Sequence, residues 1–142
     1  MAEISLRRAR TIIRAALEAG RKAGLAPLSV VVLDAGGHVK AFERADGASP
    51  GRFEIAFGKA HGAIMLGMGG RAQMARAEAQ GYFMQAMNGL FGGRVVPVPG
   101  GVLVRDRGGR IVGAVGVTGD SSENDAMAAV AGIEAAGLVA EA

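Results

Sequence analysis

Two histidines, one lysine set among apolar residues and an Arg-x-Asp-Gly turn are the groups in this sequence best able to do chemistry near neutral pH. His38 and His61 are the only imidazoles, so one chain cannot assemble a multi-histidine metal site. Lys59 lies two residues before His61 in the otherwise apolar stretch from Phe57 to Leu66. A charge there needs a partner, and the spacing makes Lys59 a candidate anchor for an acidic ligand group. Arg44-Ala45-Asp46-Gly47-Ala48 sets a guanidinium and a carboxylate beside a flexible glycine. Pro99-Gly100-Gly101 offers bare backbone N–H groups that can approach a flat ligand closely. These segments are expected to converge on one concave site, with Asp46 as the acid that meets Lys59 when no ligand is bound.

Other chemistries are excluded or weak. The chain has no cysteine, which removes thiolate metal sites, disulfides and cysteine nucleophiles. No serine sits in a Gly-x-Ser-x-Gly setting, and Ser122 with Asp125 three residues on reads as a helix cap. The run Gly113-Ala114-Val115-Gly116-Val117-Thr118-Gly119 lacks the spacing of a dinucleotide or phosphate loop. Met65, Met68, Met74, Met84 and Met87 fall in one short region and read as adaptable core or subunit contact.

The elements that must position these groups follow from periodicity. Leu6, Ala9, Ile13, Ala16, Leu17 and Gly20 recur at three- and four-residue spacing, which predicts an amphipathic helix ended by Gly24 and Pro27. Residues 28 to 44 read as a hairpin turning at Asp34-Ala35-Gly36-Gly37, and residues 102 to 117 repeat the device around Asp106-Arg107-Gly108-Gly109. Val95 to Val98, broken by Pro97 and Pro99, reads as an edge or strand end. Phe53 to Ile64 and a stretch within Ala75 to Leu90 read as helices separated by Gly67-Met68-Gly69-Gly70. Ala126, Val130, Ile133 and Gly137 mark one face of a final helix. This order predicts an antiparallel sheet with helices packed on it, an α/β (α+β) domain.

With 142 residues, half of them hydrophobic, one domain spanning residues 1–142 is expected. No apolar run is long enough for a membrane span, and the arginine-interrupted start does not read as a signal peptide, so a cytoplasmic protein without a membrane partner is expected. Aromatic content is 4% with no tryptophan, which removes the stacking platforms of single-stranded nucleic-acid binders. The net charge of +3 is unevenly spread. Arg7, Arg8, Arg10, Arg14, Arg21 and Lys22 crowd the first helix, whereas Asp120, Glu123, Asp125, Glu134 and Glu141 face no base in the last segment. Such halves attract one another within or between subunits.

Several of these stretches occur together in a known family. Val31-Val32-Leu33-Asp34-Ala35-Gly36-Gly37-His38-Val39, then Phe42, Arg44-Ala45-Asp46-Gly47-Ala48, Lys59-Ala60, the glycine-rich run from Gly113 to Gly119 and Asn124-Asp125 closely resemble the GlcG/HbpS family of small haem-binding proteins. The resemblance covers nearly the whole chain. It implies a profilin-like three-layer α/β/α sandwich with an antiparallel sheet of about five strands. It also implies assembly as a homo-oligomer, octamers among them, and binding of haem or a related tetrapyrrole. Arg44, Asp46, Lys59, His61, Gly100 and Gly101 are then the candidate ligand-binding residues; no family motif fixes the axial ligand, for which His61, His38 and another weak ligand are the candidates. The rival expectation is an enzyme acting on a small organic acid, with Lys59 or His61 moving a proton and Arg44 holding the carboxylate. A third is a scaffold or sensor subunit whose surface is its function. Ala45, Gly62, Leu103 and Asp120 stand where the family usually has other residues, around the presumed pocket.

Overall fold

The computed structural model describes residues 3–142. Ten elements follow one another: α1 (Leu6–Lys22), β1 (Ser29–Asp34), β2 (Val39–Arg44), α2 (Arg52–Leu66), α3 (Gly70–Ala79), α4 (Gly81–Leu90), β3 (Gly101–Arg105), β4 (Ile111–Thr118), α5 (Ser122–Ala135) and β5 (Val139–Glu141). The strands form one sheet in the order β2-β1-β4-β3-β5, and every pairing is antiparallel. Both expected hairpins are present, as β1–β2 and β3–β4.

Helices cover both faces, which explains why the inner strands are apolar throughout instead of alternating. Val30 and Val32 point to one side, into a core shared with Ile12, Ile13 and Ala16 of α1 and Ala128, Ala129 and Ile133 of α5. Val31 and Leu33 point to the other, against Ala56, Ala60 and Ala63 of α2. The edge strand β2 is largely exposed, as a strand with one free edge should be. Element order anticipated the antiparallel sheet with helices packed on it, and the family resemblance implied the three-layer sandwich.

Glycines set the spacing between layers. Gly101 and Gly116 face each other across β3 and β4, and a Cβ on either would run into the backbone carbonyl of Lys59 or Ala56. Helix α2 therefore lies flush on the sheet, which brings Lys59 to the ends of β3 and β4.

Three local expectations need correction, and one element was not expected. Val95–Val98 is not a strand: the Val96 N–H donates to the Gly58 carbonyl, so the segment runs along α2. The cap of α5 is Ser121, whose Oγ accepts from the Asn124 N–H at 3.2 Å, not Ser122. Gly137 lies beyond α5, with φ +76°, instead of on its face. Strand β5 carries no expected signal, because three residues are too short for a readable period.

Candidate functional site

Phe53, Phe57 and His61 recur every four residues along α2 and so share one face. Their rings form a ladder. Phe42 of β2 meets Phe53 edge-on at 4.9 Å, Phe53 stacks on Phe57 at 5.8 Å, and Phe57 stacks on the His61 imidazole at 5.1 Å. Phe91, just past α4, closes the end of the ladder edge-on to His61 at 6.4 Å. The β1–β2 turn covers another side. Gly37 has φ +85°, and a Cβ there would lie 3.5 Å from His61 Cδ2 and 3.0 Å from Met65 Cε.

His61 is buried, with 6% of its surface exposed. Burial lowers its pKa from the usual histidine value; the Arg94 carbonyl works against that and the Arg94 charge adds to it. The neutral ring has a fixed tautomer. Nδ1 lies 2.9 Å from the Arg94 carbonyl oxygen, which can only accept, so Nδ1 carries the proton and Nε2 keeps its lone pair. An imidazole oriented through Nδ1–H to a backbone carbonyl, with Nε2 free to donate electrons, is the arrangement of a metal-ligating histidine. Such a nitrogen would suit a haem iron, but the ring is 6% exposed and would first have to be uncovered.

Lys59 points elsewhere. Its Nζ donates to the Val117 carbonyl and to Asp125 Oδ2, both at 3.0 Å, and the two side chains are 4% and 1% exposed. Burial pushes the Lys59 pKa down, and the Asp125 carboxylate pushes it back up. Asp125 Oδ1 in turn accepts the Asp120 N–H at 2.9 Å, and Asp120 Oδ1 accepts the Ala26 N–H at 2.9 Å. This network joins α2, the end of β4, the start of α5 and the loop after α1.

The expected single concave site is thus divided. Lys59, Gly100 and Gly101 do meet: a Cβ on Gly100, whose φ is +111°, would lie 2.9 Å from Lys59 Nζ. Arg44 and Asp46 do not join them. Arg44 is exposed and donates to the Ala48 carbonyl at 2.9 Å, and Asp46 lines a groove beside Pro27 and Leu28. The acid that meets Lys59 is Asp125, not Asp46. His38 is a surface residue of the hairpin turn, its side chain 81% exposed and its Nδ1 3.4 Å from Asp34.

Asp125, Phe57, Phe91 and Arg94 were not among the expected site residues. A lone lysine inside an apolar helix did announce a buried acid, and Asp125, in the first turn of an alanine-rich helix, was available for it. The Arg94 carbonyl is a backbone atom and leaves no trace in residue type.

The family model for haem-degrading HbpS-like proteins matches residues 4–134. The chain belongs to this HbpS-like family. No curated protein sequence matches it. Solved structures are similar over almost the full length. A PduOC–haem complex is 26% identical with TM-score 0.83, covering 94% of each chain. A double mutant of HbpS from Streptomyces reticuli is 28% identical with TM-score 0.79, covering 94% of this chain and 87% of that one. The ORFY protein of Klebsiella pneumoniae, 24% identical with TM-score 0.82 over 94% and 90% of the two chains, shares the fold. Among the described residues, no helix is long and apolar enough to cross a membrane, and no cluster of three or more histidine or acidic residues is placed to hold a metal ion.

Proposed function

We propose that this HbpS-like chain binds haem, with His61 Nε2 as the protein's axial ligand to the iron. The observation that carries the reading is the 2.9 Å contact between His61 Nδ1 and the Arg94 carbonyl, which leaves Nε2 unprotonated within a ring-lined wall. Membership of the HbpS-like family and the likeness to a PduOC–haem complex support it. The apolar rings of Phe57 and Phe91 suit a porphyrin face, and the exposed Arg94 guanidinium at the rim suits a propionate. Bound haem supplies a redox-active iron; the chain supplies one neutral nitrogen, an apolar wall and a cation.

His61 is too covered to reach an iron without movement. Phe91, edge-on to His61, is followed by Gly92 and Gly93 with φ +67° and +80°, and in this reading its ring is the group that turns aside while the Arg94 carbonyl keeps its hold on Nδ1. His38 has no comparable wall and stays a surface residue in this reading. An enzyme working through Lys59 is disfavoured, because its ammonium is held by Val117 and Asp125 with 3% of the residue exposed.

The domain is taken to be single and cytoplasmic, and to work as a homo-oligomer, up to the octamer the family resemblance implies. Tyr82 and Leu90 on α4, 73% and 70% exposed, are the apolar groups best placed to be covered by another copy. Titration of the purified protein with haemin tests the main reading. A saturable Soret shift that His61→Ala removes and His38→Ala leaves in place is expected; equal binding by the His61 variant refutes the assignment.

A further inference from the structure

On the sheet face opposite α2, α1 stands beside the edge strand β2, and the space between them is not filled. A concavity of about 350 Å³ is lined by Leu17, Gly20, Leu25, Pro27, Leu28 and Ala45, and also by the charged Arg21 and Asp46. A second concavity of about 330 Å³, sharing Leu17 and Arg21, continues along α1 past Arg10, Arg14 and Glu43. We infer that this groove is a second binding site, for a small carboxylic acid with an apolar body, separate from the His61 site.

Three observations lead there. The floor rests on a small residue: at Gly20 a Cβ would lie 2.6 Å from Leu28 Cδ1, so a side chain there would push Leu28 out of its present place at the base of the groove. The wall is held in place, since the Ala26 N–H is tied to Asp120 Oδ1 at 2.9 Å and Gly119 packs against Pro27. The charges are arranged for an anion. Arg10 and Arg14 are one helical turn apart on the same face, and among the described residues neither has an ion-pair partner within 4.0 Å. Glu43 faces them from β2 without reaching either, and Arg21 is occupied by Glu18.

Two like charges at this spacing repel, and a carboxylate between them relieves that repulsion while accepting from two guanidinium forks. The apolar half of the groove, Leu17, Leu25, Pro27 and Leu28, takes the body of the acid. Neither charge nor apolar surface alone accounts for both halves, so the ligand class is amphipathic. No group in the lining is placed for covalent chemistry, and the site binds without reaction.

The test is calorimetric titration of the whole protein with octanoate, with octanol and inorganic phosphate as controls. Saturable octanoate binding is expected, weakened about tenfold or more in Arg10→Gln/Arg14→Gln, whose exposed positions leave folding intact, and abolished by Ala45→Phe, which fills the apolar end. His61→Ala should bind octanoate as the natural chain does, which separates this site from the haem reading. Four results overturn the inference: no saturation with octanoate, unchanged affinity in the arginine variant, octanol or phosphate binding as well as octanoate, or haemin displacing octanoate from the groove.

Discussion

Lys59 on α2 and Asp125 on α5 form an ion pair at 3.0 Å although they sit on opposite layers of the sandwich. They meet past the ends of β3 and β4, where Gly100 and Gly101 leave the lysine room to pass. A buried charge left alone is far costlier than the pair is stabilising. Asp125→Leu should therefore lower stability by about 3–5 kcal/mol, whereas Lys59→Met with Asp125→Leu should lose much less than the two single changes added together. Urea unfolding of the four proteins checks this; additive losses would mean that the two side chains do not interact.

Removing the glycine contact under α2 should be expensive for a different reason. In Gly116→Ala the new methyl group meets the Ala56 carbonyl, which belongs to a helix backbone and cannot rotate aside. A loss of about 1–3 kcal/mol or more is expected, against about zero for Gly81→Ala, where nothing lies within 4 Å. Thermal unfolding of the two variants separates steric contact from a general dislike of losing glycine.

The cap of α5 gives a smaller, sharper test. Ser121 Oγ accepts from Asn124, so Ser121→Ala should cost about 1 kcal/mol and Ser122→Ala about 0.5 kcal/mol or less. Equal losses would return the cap to the position that sequence spacing suggested.

Acid should weaken the protein through His61. Its folded pKa lies below the unfolded value, so between the two the unfolded chain binds more protons than the native one. The stability contributed by the neutral ring is present above the unfolded pKa of about 6.5, falls as pH drops below it, and levels off under the folded pKa. Haem affinity of the folded protein should decline at lower pH still, as pH falls through the folded pKa, because a protonated Nε2 has no lone pair to give. Denaturant titrations between neutral and mildly acidic pH should show a slope that flattens in His61→Phe; an identical slope would place the titrating group elsewhere.

Both hairpins and most helices were legible because each has a period longer than its own ends, and turn signals such as Asp34-Ala35-Gly36-Gly37 mark where the chain reverses. The site was legible only in part. The isolation of Lys59 among apolar residues correctly required an acid, but the acid expected was Asp46, and Asp125 reads by its spacing as part of a helix cap. Choosing Asp125 over Asp46 depends on the layer crossing at Gly100–Gly101, a tertiary fact. His61 stood out by residue type alone. What prepares it, a carbonyl of Arg94 thirty-three positions away and a ring ladder with Phe57 and Phe91, arises from how the loop after α4 folds back onto α2. Val95–Val98 misled for the same reason, since its extended run pairs with a helix instead of the sheet.

In this reading His61 gives its Nε2 to the haem iron, and nitrogen hyperfine spectroscopy of the ferric haem complex made with ¹⁵N-histidine reads that bond. A ¹⁵N coupling is expected in the natural chain and in His38→Ala, absent in His61→Gly and restored there by added ¹⁵N-imidazole. A ¹⁵N coupling that survives in His61→Gly would contradict it.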